Sequence, residues 1–583
     1  MRNRRHIVLA LATAAALAAV ATACDDSGGG GGTDAGTDTG TDVDTDTDTD
    51  TDTGAEPSWD GVGLADVDAP DELTVTVGYD GTPPPADAGN AAIYALSSDV
   101  GALAVQSVAY DDAAHVATLT TDKQKLGITY TVTISPPPVG ATPLTADFLS
   151  ADTAAFWVLD FSDYTYEQIT AERSAVGEKA VAYIQEGNVG AASSSVQNFD
   201  EHVFPTETSL FTDAPDLDGN GKIVILGLDG GNYYGGYFDP VNSLTQEEAD
   251  TCGFGSYGYH TNEMEIVHVN VAYGDFDSTN EIVPHEFQHL LYEARHPSLG
   301  PSIPGCYDAG SWLDTYHNEG LAECAVRAVT GDYDQAIGYY FGDYSGLIGQ
   351  GLSLVDWTYS LYENYVVAFM FWSYVAAHLG GVDGYGQIFD LDSGHPDVVD
   401  QFLLDNLGTD LGQTQLNQML ALWVRAEAGT YSYLGFLDLG SAATPMAPTG
   451  TSSLDLEPYA GTFFHLDQAS VDYPGTQGAD IVYAGIDSSG AVDLEAPFDV
   501  DGGALLALDT QLWIIEDYPD PYYPTEHSGP DVAGSGGEKG LARELASGAV
   551  SPTWTDPPPA VLQRPERFVA WREARLAQLA AVR

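Results

Sequence analysis

Residues 280–295 read NEIVPHEFQHLLYEAR. Within them His285-Glu286-Phe287-Gln288-His289 is an H-E-x-x-H motif. On a helix the two histidines, four residues apart, project from one face and can chelate one zinc ion through their imidazole nitrogens. Glu286 then sits beside the metal, where a carboxylate can take a proton from the attacking water and pass it to the leaving amine. The surroundings predict the helix. Asn280 is an expected N-cap, Pro284 falls in the permissive first turn, and Ile282, Leu290 and Leu291 give an apolar side.

A hydrolytic zinc site needs a third protein ligand. An elongated histidine pattern would put glycine at 292 and histidine at 295, and the chain has Tyr292 and Arg295 there. Further along, residues 317–323 read HNEGLAE. On a second helix Glu319 and Glu323 share a face, so Glu319 is expected to bind the zinc and Glu323 to support a ligating histidine from behind. Cys324 points away from Glu319. His268, His296 and His317 read as loop or surface histidines outside the ligand set.

Composition bounds the rest. The chain has 583 residues, long enough for three or four domains of ordinary size. Its 87 Asp and Glu against 18 Lys and Arg give a formal charge of −69, which would repel nucleic acid and anionic headgroups. No nucleic-acid partner is expected. Arg2, Arg4 and Arg5 precede the apolar run Ile7–Val20, and Ala21-Thr22-Ala23 leads into Cys24. This resembles a bacterial lipoprotein signal in which Cys24 is lipidated, with Ala21 where leucine is usual. An ordinary cleaved signal is the alternative. The stretch TDTGTDVDTDTDTDTDTG (37–54) lies in a segment, residues 25–56, expected to be a disordered, self-repelling tether. The expected location is therefore the bacterial cell envelope, exported, with the chain held to a membrane by its lipid. Of the remaining cysteines, Cys252 and Cys306 are the expected pair, because both sit in Gly- or Pro-rich loops.

Patterning divides the mature chain further. Residues 57–150 carry alternating apolar runs (ELTVTVGYD, AAIYALSS, HVATLTTD, ITYTVTIS) between Pro-rich turns and predict a small β-sandwich. The stretch HVATLTTDKQKLGITYTVTI resembles the last hairpin of bacterial immunoglobulin-like domains. Residues 151–440 are mixed. Strands are expected at 222–228 and 265–273, and helices at Ala171–Gly187, Glu281–Arg295, Glu319–Thr330, Tyr362–His378 and Gln413–Ala428. Residues 441–555 return to β-type alternation. A basic amphipathic helix, Val561–Arg583, is expected within the last segment, 556–583.

Taken in order, DLDGNGKIVIL, GGYFDP, NEMEIVHVN, HEFQHLLY, Trp312-Leu313, NEGLAE and NYVVAFMFWSYVAAHLGG are similar to the hyicolysin-like neutral zinc metallopeptidases of the glutamate-zincin group. The resemblance runs from about residue 155 to 430. It implies a zinc endopeptidase with His285, His289 and Glu319 as ligands and Glu286 as base. The chain departs from that pattern where Asp314-Thr315-Tyr316-His317 separates Trp312-Leu313 from Asn318-Glu319.

Two further readings concern smaller features. Asp216, Asp218 and Asn220 match the first half of a calcium loop, but Gly227 stands where an EF-hand has glutamate, leaving a partial Ca²⁺ site or a tight turn. Tyr365, or His317, is a candidate donor to the oxyanion. The expected whole is multidomain: a zincin-like α+β peptidase domain flanked by an N-terminal Ig-like β-sandwich and a C-terminal β-rich domain. It would hydrolyse protein or peptide substrates, with strand 265–273 as the sheet edge for an extended peptide. The alternatives are a surface adhesion or scaffold protein with an inactive peptidase domain, and a metal enzyme acting on a non-peptide bond.

Overall fold

The computed structural model describes residues 58–510 and 531–532, except 137–141, 162–164, 188–191, 231–234, 253, 255–257, 273–280, 298–314, 332–347, 356–361, 441–443, 450, 452–453, 457–458 and 472–480. The expectations for the signal, Cys24, the tether, Asn280, Cys306, Trp312-Leu313 and the C-terminal helix fall outside these residues.

The fold is mixed α and β with several sheets. Eight strands form the first part: β1 (Leu64–Asp71), β2 (Thr74–Tyr79), β3 (Tyr94–Ser98), β4 (Gly101–Leu103), β5 (Val105–Asp111), β6 (Val116–Thr121), β7 (Thr129–Ile134) and β8 (Leu144–Leu149). They make two layers, β1-β2-β6-β5 and β4-β3-β7-β8, around a shared core that includes Val75, Val77, Leu119, Tyr130 and Val132. The predicted strands are there because every second side chain faces that core. The resemblance to a terminal hairpin fails. β6 pairs with β2 and β5, whereas β7 pairs with β3 and β8, so HVATLTTDKQKLGITYTVTI crosses between layers instead of folding back. Its connection, residues 122–128, is too long for a tight turn and leaves room for that crossing.

The sheet does not stop at residue 150. β9 (Thr153–Asp160) meets β1 at Asp71↔Thr153 and continues through β10 (Thr165–Val176), β11 (Ala180–Gln185), β12 (Ile223–Leu228), β14 (Ile266–Asn270) and β13 (Gly236–Tyr237). Together these make a ten-stranded sheet. The helix expected at Ala171–Gly187 is absent; β10 and β11 pair antiparallel there, turning at Gly177. Alanine and glutamate gave the segment a helical composition, but β11 is buried on both faces and runs parallel to β12. Such a strand reads as an unbroken apolar run with no alternation to betray it.

That double burial repeats across β11, β12 and β14. Ala182, Ile225 and Val267 face one core with the helices, while Tyr183, Val224 and Ile266 face another. The helices are α1 (Pro85–Ala88), α2 (Ser193–Asn198), α3 (Phe204–Leu210), α4 (Gln246–Thr251), α5 (Ile282–Arg295), α6 (Thr315–Thr330), α7 (Tyr362–His378), α8 (Asp383–Phe389), α9 (Pro396–Leu407) and α10 (Leu411–Val424). C-terminal strands at Gly461–Phe464, Ile481–Ile486 and Ala504–Asp509 pair in one four-stranded sheet. Phe463, Ile486 and Leu506 join the same core as α5, α6 and α7. Strand β14 is not a sheet edge: β13 pairs antiparallel with it at Gly236↔Val269 and Tyr237↔His268 and is itself the outer strand among the described residues.

Candidate metal centre

Helix α5 follows β14 and is buried along most of its length, from Val283 to Glu293. Phe287 anchors it, with its ring 4.9 Å from Phe199 and 5.8 Å from Phe204. Glu281 stands at the N-cap position, without a side-chain capping bond. Helix α6 begins at Thr315, one turn before the expected start, and is fixed against α7. Tyr316 stacks on Trp372 at 5.8 Å, and the Trp372 indole N–H donates to the Tyr316 carbonyl at 3.0 Å. Gly320 allows this contact: a Cβ there would lie 2.6 Å from Trp372 Cδ1 and 2.9 Å from Ala368 Cβ. Helix α6 thus approaches α7 closely enough to settle where the adjacent Glu319 projects.

His285 Nε2 lies 3.2 Å from Glu319 Oε2, and His289 Nε2 lies 3.3 Å from the same oxygen. All three residues are buried. Ligands bound tetrahedrally at ~2.05 Å are separated by ~3.3 Å, the edge of that tetrahedron. The observed spacings equal this edge. The outer nitrogens are also engaged. His285 Nδ1 is 3.3 Å from Glu323 Oε1, and His289 Nδ1 is 3.1 Å from Asn318 Oδ1. With an Nδ1–H donated to each of these acceptors, a bound metal would find both Nε2 lone pairs on the Glu319 side, the tautomer it requires. Burial disfavours the ionised Glu319 carboxyl. The positive charge and N–H groups that His289 and His285 offer in the metal-free site outweigh this and hold it well below its usual range.

Glu286 is buried on the same helix, and its Oε1 rests against the backbone of Gly236 on the outer strand. Tyr365 is buried with its ring 6.1 Å from that of His285, so the candidate donor stands beside the cluster. His317 stands apart, and its expected surface position is overturned. It is fully buried, its Nε2–H donates to the Ile388 carbonyl at 3.0 Å and its Nδ1 faces Tyr292 OH at 3.4 Å. Burial lowers its pKa to about 4. A ring engaged at both nitrogens is an internal brace between α5, α6 and α8, with nothing free for an oxyanion. His268 is likewise fully buried, stacked on Tyr237 at 4.0 Å and donating through Nδ1 to the Tyr237 carbonyl. His296 reaches the Phe389 carbonyl through Nε2 at 2.9 Å.

Sequence reasoning missed Glu207. It is fully buried on α3, neither carboxyl oxygen has a hydrogen-bond partner among the described residues, and burial raises its pKa well above the usual range, against a smaller opposing pull from His285. Nothing in FPTETSL marks it, because a glutamate on a short helix normally faces water. Of the cysteines, Cys252 is disulfide-bonded and Cys324 is a buried free thiol beside Ser373. In the partial calcium loop Asp216 and Asp218 gather with Glu265, while the Asn220 side chain engages Asp218, the Leu126 carbonyl and the Lys222 amide.

No family model matches the chain, and neither does any curated protein. Among solved structures, surface-layer protein rSbsC(31-844) is 18% identical over 21% of this chain and 18% of its own, with a TM-score of 0.15. The N-terminal part of the bacterial S-layer protein SbsC is 14% identical over 23% of this chain and 38% of its own, again at 0.15. The matched part spans less than half of either protein, and a likeness of that size carries no argument about fold or function.

Proposed function

We propose that the protein is a zinc-dependent endopeptidase with the zincin arrangement, its metal held by His285, His289 and Glu319. One observation carries this reading: two imidazole Nε2 atoms and one carboxylate oxygen converge at the edge length of a zinc tetrahedron, with both Nδ1 atoms already occupied. The donor set is right for zinc, two neutral nitrogens and one anionic oxygen, leaving a fourth position for water or substrate. When bound, zinc supplies Lewis acidity, polarising a water and a peptide carbonyl.

The remaining work falls to the chain. Glu286 takes the proton of the attacking water and delivers it to the leaving amine. Glu323 and Asn318 fix the two imidazoles from behind. Tyr365 would donate toward the developing oxyanion. With β14 covered, the substrate strand adds to β13, whose Gly236 touches the base; an extended peptide there would run past Glu286. The envelope location, the lipid on Cys24 and the acidic tether complete the reading, with exported or neighbouring proteins as substrates.

Purified protein should contain about one zinc per chain and cleave casein, with both lost to a strong chelator and restored by zinc. Glu286→Gln should keep the zinc and lose nearly all hydrolysis, since only the base is removed. Zinc-replete protein inert toward a broad peptide library would favour the scaffold alternative. Wild-type turnover by Glu286→Gln would refute the mechanism.

A further inference from the structure

The loop entering β12 places carboxylates where sequence alone did not put them together. Asp216, Asp218 and Glu265 each offer one oxygen, and the three lie within 4.8 Å of one another. Two oxygens sharing one Ca²⁺ at ~2.4 Å can be no farther apart than ~4.8 Å. Glu265 is distant in sequence and 5% exposed. Its Oε1 accepts from the Leu217 amide at 2.6 Å, and its Oε2 is buried with no hydrogen-bond partner among the described residues. A buried carboxylate oxygen without a donor is costly, and a cation is the usual remedy. Among the described residues no lysine or arginine forms an ion pair with any of the three. Lys125 Nζ is directed instead to the Gly219 carbonyl at 3.1 Å, and Lys222 Nζ to those of Gly177 and Glu178.

We propose that Asp216, Asp218 and Glu265 form a second, structural metal site for Ca²⁺, separate from the zinc centre. The ligands are all hard oxygens with no nitrogen or sulfur, which selects against zinc and copper. Three carboxylates from a loop and a strand end give the adaptable, oxygen-rich shell that Ca²⁺ accepts, with waters completing it. Glu265 immediately precedes β14, and the strand's far end lies ~16 Å away at ~3.3 Å per residue. The zinc helix follows from that far end, so the two metals report on opposite ends of one strand.

The site's role follows from what its loop touches. Lys125 bonds Gly219, and the Asn220 amide reaches the Leu126 carbonyl at 3.4 Å. Both contacts come from the connection between β6 and β7, in the N-terminal sandwich. Binding Ca²⁺ therefore tightens the joint between the sandwich and the sheet that leads to the zinc helix. It ties the loop to β14 on one side and to the sandwich on the other.

The test uses full-length protein stripped of metal, reloaded with one equivalent of zinc and titrated with CaCl₂ by calorimetry. One calcium per chain should bind, and Glu265→Gln should weaken it by about tenfold or more. This change removes a charge yet leaves an oxygen for the Leu217 amide. Asp216→Asn, at an exposed position, should weaken binding comparably without threatening the fold. Both variants should retain full zinc content. The reciprocal variant Glu319→Ala should keep calcium while losing zinc, so failure of the zinc reading leaves this result intact. Hydrogen exchange at residues 217–221 should slow when CaCl₂ is added. Calcium binding unchanged by both Glu265→Gln and Asp216→Asn would place it elsewhere, on the acidic tether above all, and overturn the proposal. So would equal affinity for MgCl₂, or no binding at millimolar calcium.

Discussion

Gly236→Ala is the smallest change that should separate metal binding from catalysis. A Cβ at this position would lie 2.5 Å from Ile282 Cγ2, 2.7 Å from Glu286 Oε1 and 2.8 Å from the His268 carbonyl oxygen. The carbonyl belongs to the strand paired with Gly236 and has little freedom to yield. The carboxylate is the free end of a side chain and must give way. Ordinary contact begins near 3.4 Å, so Oε1 has to retreat by about 0.7 Å. Misplacement of a reacting group by ~1 Å can lower a rate about a hundredfold. The expected loss in kcat is therefore ~10–100-fold, with KM little changed. The three ligand contacts do not involve Gly236, so zinc content should stay at the wild-type level. Overpacking of this kind lowers stability by about 1–3 kcal/mol, which a thermal melt would register. Steady-state kinetics on a fluorogenic peptide, zinc analysis and melting on the same preparation give all three quantities. Wild-type kcat in a folded Gly236→Ala protein would refute the placement of Glu286 against the outer strand. Loss of zinc would refute its separation from the ligands.

Zinc titration should rank the supporting residues. Glu319→Ala should abolish both metal retention and activity, Glu323→Ala should weaken zinc about 10–100-fold, and His317→Ala should retain zinc while lowering stability by about 2–3 kcal/mol. Retention by Glu319→Ala with loss in His317→Ala would require a different ligand set. Glu207→Gln should change the pH dependence of stability in chelated protein. Burial raises the Glu207 pKa, so its share of stability is complete below pH ~4.5 and lost, at up to ~1.4 kcal/mol per pH unit, as pH rises toward the folded value. Denaturant melts from pH 5 to 7 should show this slope in wild type and its reduction in the variant; parallel slopes would contradict it. Cys24→Ala should move the protein from the membrane to the soluble fraction, and a wild-type protein already soluble with a free N-terminus after Ala23 would exclude lipidation.

The fold was most legible where one face of an element meets water. The strands from Thr74 to Ile134 alternate, and their ranges follow the pattern to within a few residues. Helix α7, at Tyr362–His378, was equally clear because a long apolar run with no glycine or proline has few other options. Legibility failed at Ala171–Gly187, where β11 is covered on both sides and periodicity carries no information. It failed again for β6 and β7. Each strand was visible, but whether consecutive strands pair or part depends on layer packing that no local pattern encodes.

The site divides in the same way. His285, Glu286 and His289 lie on one helix, so their mutual geometry is local and the sequence spacing already contains it. Glu319 and Glu323 were reachable because they too share a helix face, leaving only the docking of α6 on α5 unknown. That docking rests on Tyr316, Gly320 and Trp372, and the glycine's role is visible only once Trp372 is seen against it. Glu265 and Gly236 were out of reach for a stronger reason. Each is set in place by sheet pairing: Glu265, just before β14, through its carbonyl to the Val224 amide, and Gly236, on β13, through Val269. A residue whose role comes through sheet register has no partner at a fixed sequence offset. The same register sets β13 beside Glu286 and Glu265 beside the loop, at opposite ends of β14. A strand one residue out of register would displace both together.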